Sequence, residues 1–201
     1  MRFASTSFRP TFGRVLSIVT AGIAAAGLGG FVVSGDWPSL ARYGWGLLLI
    51  VAVAFAAFWS PRVDVAEHEV TVVNVFSTVH VPWPAIQRVD TQYALTLHLP
   101  GGRKVTAWAS PAPSRYSAQV SATRETRLAA RDGETSVRPG DLLDTPSGAV
   151  AFVIRRHWED LRDEGRLDLG VDASALRRDI HWPAIVVLGV LAVATALGLL
   201  L

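Results

Sequence analysis

The 201-residue chain contains no cysteine. That excludes disulfide staples, thiolate metal sites and cysteine nucleophiles, and it leaves the redox compartment undetermined. Lysine is almost missing as well. Lys104 stands alone against 18 arginines, a bias that fits genome composition better than selective chemistry. Both ends of the chain are poor in charge. The region from about Pro61 to His181 carries 31 of the 36 charged side chains, and three stretches outside it lack any charged side chain: Val15 to Val33, Tyr43 to Trp59 and Trp182 to Leu201.

Half of all residues are hydrophobic, and they collect in those three stretches instead of being spread through amphipathic segments. A helix needs roughly 20 apolar residues to cross the hydrocarbon core, with about 17 to 25 tolerated. The pattern therefore predicts an integral membrane protein with helices at 15–33, 43–59 and 182–201. Trp37, Trp45, Trp59 and Trp182 lie near their ends, where an aromatic belt belongs. A cleaved signal peptide is the competing reading of the first stretch, with Ala24, Ala25 and Ala26 as small residues for a peptidase. The stretch is longer than the roughly 7 to 15 residues of a signal core, and a second apolar helix follows at once, which favours a helical hairpin.

Basic residues near the helix ends set the expected orientation. Arg2, Arg9 and Arg14 precede the first helix, Arg62 follows the second, and Arg177 and Arg178 precede the third. The N-terminus (1–14) and the long central region are expected in the cytoplasm, with loop 34–42 and the C-terminus outside the cell membrane. Absence of charged side chains from the spans argues against a transporter, pump or channel. Gly22, Ala26 and Gly30 form a small-residue stripe on the first helix. Packing against the second or third helix is its simpler use, and a homodimer contact is the sharper one.

The central region is nearly neutral, with 15 basic and 16 acidic residues, so it lacks the basic face of a nucleic-acid binder. Its period changes to two at Pro61. Val63 and Val65, then Val70 and Val72, mark two strands about the turn Ala66-Glu67-His68. Val79 to Val81 is a third, Pro82-Trp83-Pro84 breaks the run, and Ala85-Ile86-Gln87 is a one-turn connector. Val89 to Gln92, Tyr93 to Leu99 and Arg103 to Trp108 complete six strands, the last two joined through Pro100-Gly101-Gly102. Such a meander must curl or be covered to bury its apolar face. Ala109 to Asp144 has almost no large apolar residues and reads as a disordered insertion, about 110–144. Thr145 can cap a helix with Pro146 at its first position. Val150, Val153, Ile154, Trp158 and Leu161 share one face of that helix, and Gly165 offers a stop. Arg155 with Glu159, and Arg156 with Asp160, supply i,i+4 pairs. The helix suits a lid over the sheet, and 169–181 leads into the third apolar helix.

Two apolar helices, a curled antiparallel sheet and one closing helix resemble the bacterial pleckstrin-homology (PH) domains, specifically actinobacterial membrane proteins of the low-molecular-weight protein antigen 6 type. The likeness rests on Pro61-Arg62-Val63-Asp64-Val65 and the strand up to Asn74, on Val81-Pro82-Trp83-Pro84-Ala85-Ile86, and on Tyr93-Ala94-Leu95-Thr96-Leu97. Gly102-Arg103, Val105-Thr106-Ala107-Trp108 and Arg155-Arg156-His157-Trp158 add to it. These residues make up roughly a third of the chain and are structural in kind. The resemblance implies a PH-like α+β domain over 60–168 and supplies no catalytic residue. A third apolar helix and the long insertion depart from the simplest family pattern.

No enzyme is expected. The histidines His68, His80, His98, His157 and His181 form no ligand pair, and the carboxylates form no calcium loop. Neither a nucleophile elbow nor a phosphate-cradling glycine loop occurs. The acidic run on the closing helix (Glu159, Asp160, Asp163, Glu164) reads as a solvated face. No metal or cofactor is implied. In eukaryotic PH domains basic residues of the first hairpin loop hold inositol phosphates, whereas Ala66-Glu67-His68-Glu69 here would repel them. Arg103 and Lys104, the only adjacent basic pair in the sheet, are candidates for anionic-lipid contact; ordinary turn charges are the plainer account. Trp83 and Trp108 are candidates for docking a protein partner, since tryptophan is enriched among interface anchors, against a core role for both. The expected function is a membrane-anchored, non-enzymatic interaction or scaffolding module, with tethered lipid sensing as the alternative.

Overall fold

The computed structural model describes residues 5–9, 11–91, 93–111, 146–167 and 176–200. It divides into two compact units, a β-rich one of Met1–Arg9, Arg62–Asn74 and Thr78–Asp179, and a helical one of Pro10–Pro61, Val75–Ser77 and Ile180–Leu201. The proposed cap Thr145, nearly all of the expected insertion and most of the expected linker 169–181 lie outside the described residues.

In the helical unit, α1 (Thr11–Ser34), α2 (Trp37–Ala54, continued as a π-helical turn Phe55–Trp59) and α4 (Trp182–Leu200) are each long and apolar enough to cross a membrane. Gly35, at φ +69°, turns the chain between α1 and α2. Asp36 then caps α2, accepting a hydrogen bond from the Ser39 N–H at 3.1 Å. Hydrogen bonds from the Ser39 hydroxyl and N–H hold the Asp36 carboxyl below the usual aspartate value.

Close approach, not apolar area, determines where these helices touch. A Cβ on Gly13 would stand 2.7 Å from the Phe58 carbonyl oxygen, and one on Gly198 would stand 2.9 Å from that of Arg42. Ser17 Oγ lies 3.0 Å from the Gly13 oxygen and 3.2 Å from that of Ala54, where the α and π turns join. The helix α1 starts before its uncharged run and so includes Arg14, whose guanidinium lies over the Trp59 ring at 5.6 Å. Gly22 and Gly30 meet nothing within 4 Å, and Ala26 is exposed. The expected packing of this stripe on a neighbouring helix is therefore corrected: the contacts run through Gly13, Ser17 and Gly27 instead, the last 3.3 Å from Leu47.

The β-rich unit holds two antiparallel sheets where one continuous meander was expected. The first contains β1 (Thr6–Phe8), β2 (Arg62–Val65), β3 (Glu69–Val73), β4 (Ser77–Pro82) and β8 (Arg177–Ile180), in the order β1-β2-β3-β4-β8. The second contains β5 (Arg88–Asp90), β6 (Ala94–His98) and β7 (Lys104–Pro111) in sequence order. The break falls at the 3₁₀ turn Trp83–Ala85, since Pro82 and Pro84 cannot donate to a ladder. Two further expectations change. Residues 6–8 and 177–180, read as terminus and linker, are the edge strands of the first sheet. Ala109 and Ser110, read as the start of the insertion, are buried strand residues.

Alternation along the strands builds a single core. Val63, Val65, Val70, Val72 and Val81 of the first sheet join Leu95, Leu97 and Ala107 of the second, all at most 1 % exposed. The amphipathic helix α3 (Pro146–Asp163) contributes Val150, Ala151, Ile154 and Leu161, and it packs on the second sheet. Gly165, at φ +67°, ends it: its own N–H donates to Arg162 O at 3.0 Å and Arg166 N–H to Leu161 O at 2.9 Å.

Candidate functional site

Trp83 belongs to the core. Only 2 % of it is exposed, its indole N–H donates to Ala66 O at 3.0 Å, and the His157 ring stands edge-on at 4.8 Å between centroids. A docking role has no exposed ring to use there. Trp108 is the opposite case, 58 % exposed on β7. Tyr93, just ahead of β6, is 82 % exposed.

Register explains what surrounds Trp108. Residues whose neighbours face the core point to the other side of the second sheet, namely Arg88 and Asp90 on β5, Thr96 and His98 on β6, and Lys104 and Thr106 on β7. Arg88 pairs with His98 and His98 with Lys104, so three basic residues cross the sheet in one row. Asp90, Thr96 and Thr106 form the next row, and the two threonine hydroxyls lie 3.2 Å apart. Asp90 is the carboxylate in this patch: Oδ2 is 2.7 Å from Arg88 Nη2 and 3.8 Å from His98 Nε2. Arg103 and Lys104 are exposed at the hairpin tip, and among the described residues neither has an ion-pair partner. Their hairpin depends on Gly101 and Gly102, at φ +72° and +75°, a backbone region that side chains disfavour.

Two clasps hold this surface in place. At the outer edge of β7, the Asn74 side-chain amide donates to Thr106 O at 2.9 Å and its oxygen accepts from Trp108 N–H at 2.8 Å. One side chain thus satisfies a donor and an acceptor that a further strand would otherwise claim. At β5, Trp158 Nε1 donates to Ile86 O at 3.1 Å and Arg155 Nη2 to Val89 O at 3.2 Å. Arg155 therefore reaches across to the sheet as well as lying beside Glu159. Ile86, Gln87, Arg88, Val89, Arg155, Trp158 and Glu159 line a shallow groove here of about 200 Å³.

A separate polar cluster lies on the first sheet. His80 Nδ1 is 2.7 Å from Glu69 Oε1 and its Nε2 is 3.6 Å from Asp179 Oδ2, so the imidazole bridges β3 and β8. Among the described residues no group of three or more histidines and carboxylates is arranged to hold a metal. The sequence points to Arg103 and Lys104 because they are adjacent. It does not point to Arg88, His98 or Asp179, which join their clusters only through strand pairing.

Two packed sheets with one amphipathic helix on the second define a compact α+β domain, in a chain that also has three long apolar helices. Residues 60–159 match the family model of the bacterial PH domain, and the chain is a bacterial PH-domain protein. The match runs from β2 into α3, leaving β1 and β8 outside it. No curated protein and no solved structure matches the chain.

Proposed function

We propose that this protein is a membrane-anchored, non-enzymatic interaction module whose PH domain docks a protein partner through the exposed face of its second sheet. The carrying observation is Trp108, a large aromatic ring more than half exposed on a strand whose backbone is clamped by Asn74. A rigid, exposed tryptophan is the kind of side chain that anchors an interface. The three apolar helices serve as anchors, with the N-terminus and the PH domain in the cytoplasm and the C-terminus outside. A photo-crosslinking residue at position 108, in native membranes, tests the docking reading. One discrete adduct, lost when the probe is moved to the buried position 83, is the expected result; no adduct beyond background at 108 would sink it.

Tethered sensing of anionic lipid is the second reading. It is supported by Arg103 and Lys104, which are exposed and unpaired among the described residues. Chain connectivity also favours it, because β2 begins three residues after Trp59 and β8 ends two before Trp182. Such short tethers raise the effective concentration of headgroups at the domain.

A further inference from the structure

We infer that the basic row across β5, β6 and β7 is a phosphate-binding site, with Arg88, His98 and Lys104 as its donors. The inference deepens the lipid reading, naming the ligand chemistry and adding two donors that the hairpin pair lacks. It lies on the second sheet, away from the first hairpin loop with its Glu67 and Glu69.

Three observations carry it. Arg88, His98 and Lys104 are direct cross-strand neighbours, and side chains so placed stand about 4.5–5.5 Å apart at Cβ. Basic groups directly opposite one another destabilise a sheet, and here Asp90, in the adjacent row, is engaged by Arg88 at 2.7 Å. The row thus retains positive charge at Lys104, which is exposed. Finally, its donors are of complementary kinds: a planar guanidinium fork suited to phosphate oxygens, an ammonium point charge and an imidazole N–H. Arg88 is 64 % exposed at its side chain, so it can serve a ligand while retaining Asp90.

The groups facing His98 are Asp90 and Arg88 from β5 and Lys104 from β7.

The test uses the full chain in zwitterionic detergent micelles with ¹³C-labelled histidine, the His98 ring signal being assigned by H98N. Inorganic phosphate, dihexanoyl phosphatidic acid and dihexanoyl phosphatidylcholine are titrated in turn. A saturable shift of the His98 signal with phosphatidic acid and not with phosphatidylcholine is expected. Loss of one charged hydrogen bond in R88Q weakens it about tenfold, and K104Q weakens it likewise. A response to inorganic phosphate as well marks the phosphate group as sufficient; a response to phosphatidic acid alone marks the lipid as its source. Two results would overturn the site: no saturable shift with either anion, or an R88Q chain that binds as tightly as the wild type. If R103Q/K104Q abolishes binding while R88Q leaves it unchanged, the hairpin tip alone is responsible, and the lipid reading outlives the row.

Discussion

At the residue scale, glycines that look alike in the sequence divide by what lies opposite them. Gly13 abuts the Phe58 carbonyl and Gly198 that of Arg42, whereas Gly22 and Gly30 face open space. Gly13→Ala and Gly198→Ala should lower the midpoint of thermal unfolding in detergent. Gly22→Ala and Gly30→Ala should leave it unchanged or raise it, since a mid-helix Gly costs about 0.8–1 kcal/mol relative to Ala. Trp83→Ala removes a fully buried indole and should destabilise the PH domain by about 3–5 kcal/mol in denaturant titration. Trp108→Ala, at an exposed position, should stay within about 0.5 kcal/mol of the wild type. The pair separates a core tryptophan from a surface one. Asp36 gives a pH prediction. Its carboxyl is held low by hydrogen bonds from Ser39, so the ionised form stabilises the cap. That contribution is present above the ordinary aspartate pKa and is lost as pH falls through the lower folded value. The stability gap between wild type and Asp36→Ala should hold from neutral pH down to about 4, then close.

At the scale of elements, single side chains do work usually left to extra strands or to a turn. Asn74 occupies the outer edge of β7 with one donated and one accepted hydrogen bond. Asn74→Asp keeps the acceptor for Trp108 N–H and loses the donor to Thr106 O. It should cost about 1–3 kcal/mol and speed hydrogen exchange near β7 while β2–β3 amides stay protected. Helix α3 treats the other edge in the same way through Arg155 and Trp158. His80 adds a polar link between β3 and β8 through Glu69 and Asp179. These contacts were invisible in the sequence for a common reason. Each joins residues with no shared period, 32 to 99 positions apart, apart from the local His80–Glu69 pair. Three- and four-residue strands such as Thr6–Phe8 and Arg177–Ile180 are likewise too short to display alternation.

At the scale of the whole molecule, the proposed topology is open to a direct check, because the chain has no cysteine. Single cysteines at Ser34, the last residue of α1 and on the proposed outer side, and at Glu67, in the turn between β2 and β3, provide unique handles. An impermeant maleimide should label S34C on intact cells and E67C only after permeabilisation. The reverse pattern would place the PH domain outside and remove the cytoplasmic partner from consideration.

What the residues alone determined is the part governed by local physics. Long uncharged runs mark helices fit for a bilayer, a period of two marks strands, and a period of 3.6 marks α3. The family likeness was legible too, because its residues lie on those strongly patterned elements. Pairing decided the rest. The split into two sheets follows from how Pro82, Pro84 and the Trp83 turn interrupt the ladder. The edge strands β1 and β8, the exposure of Trp108 and the basic row from Arg88 to Lys104 follow from register. A side chain's neighbours across a sheet depend on which strands meet, and that is settled by burying one core between distant segments, not by any signal carried in a short stretch of sequence.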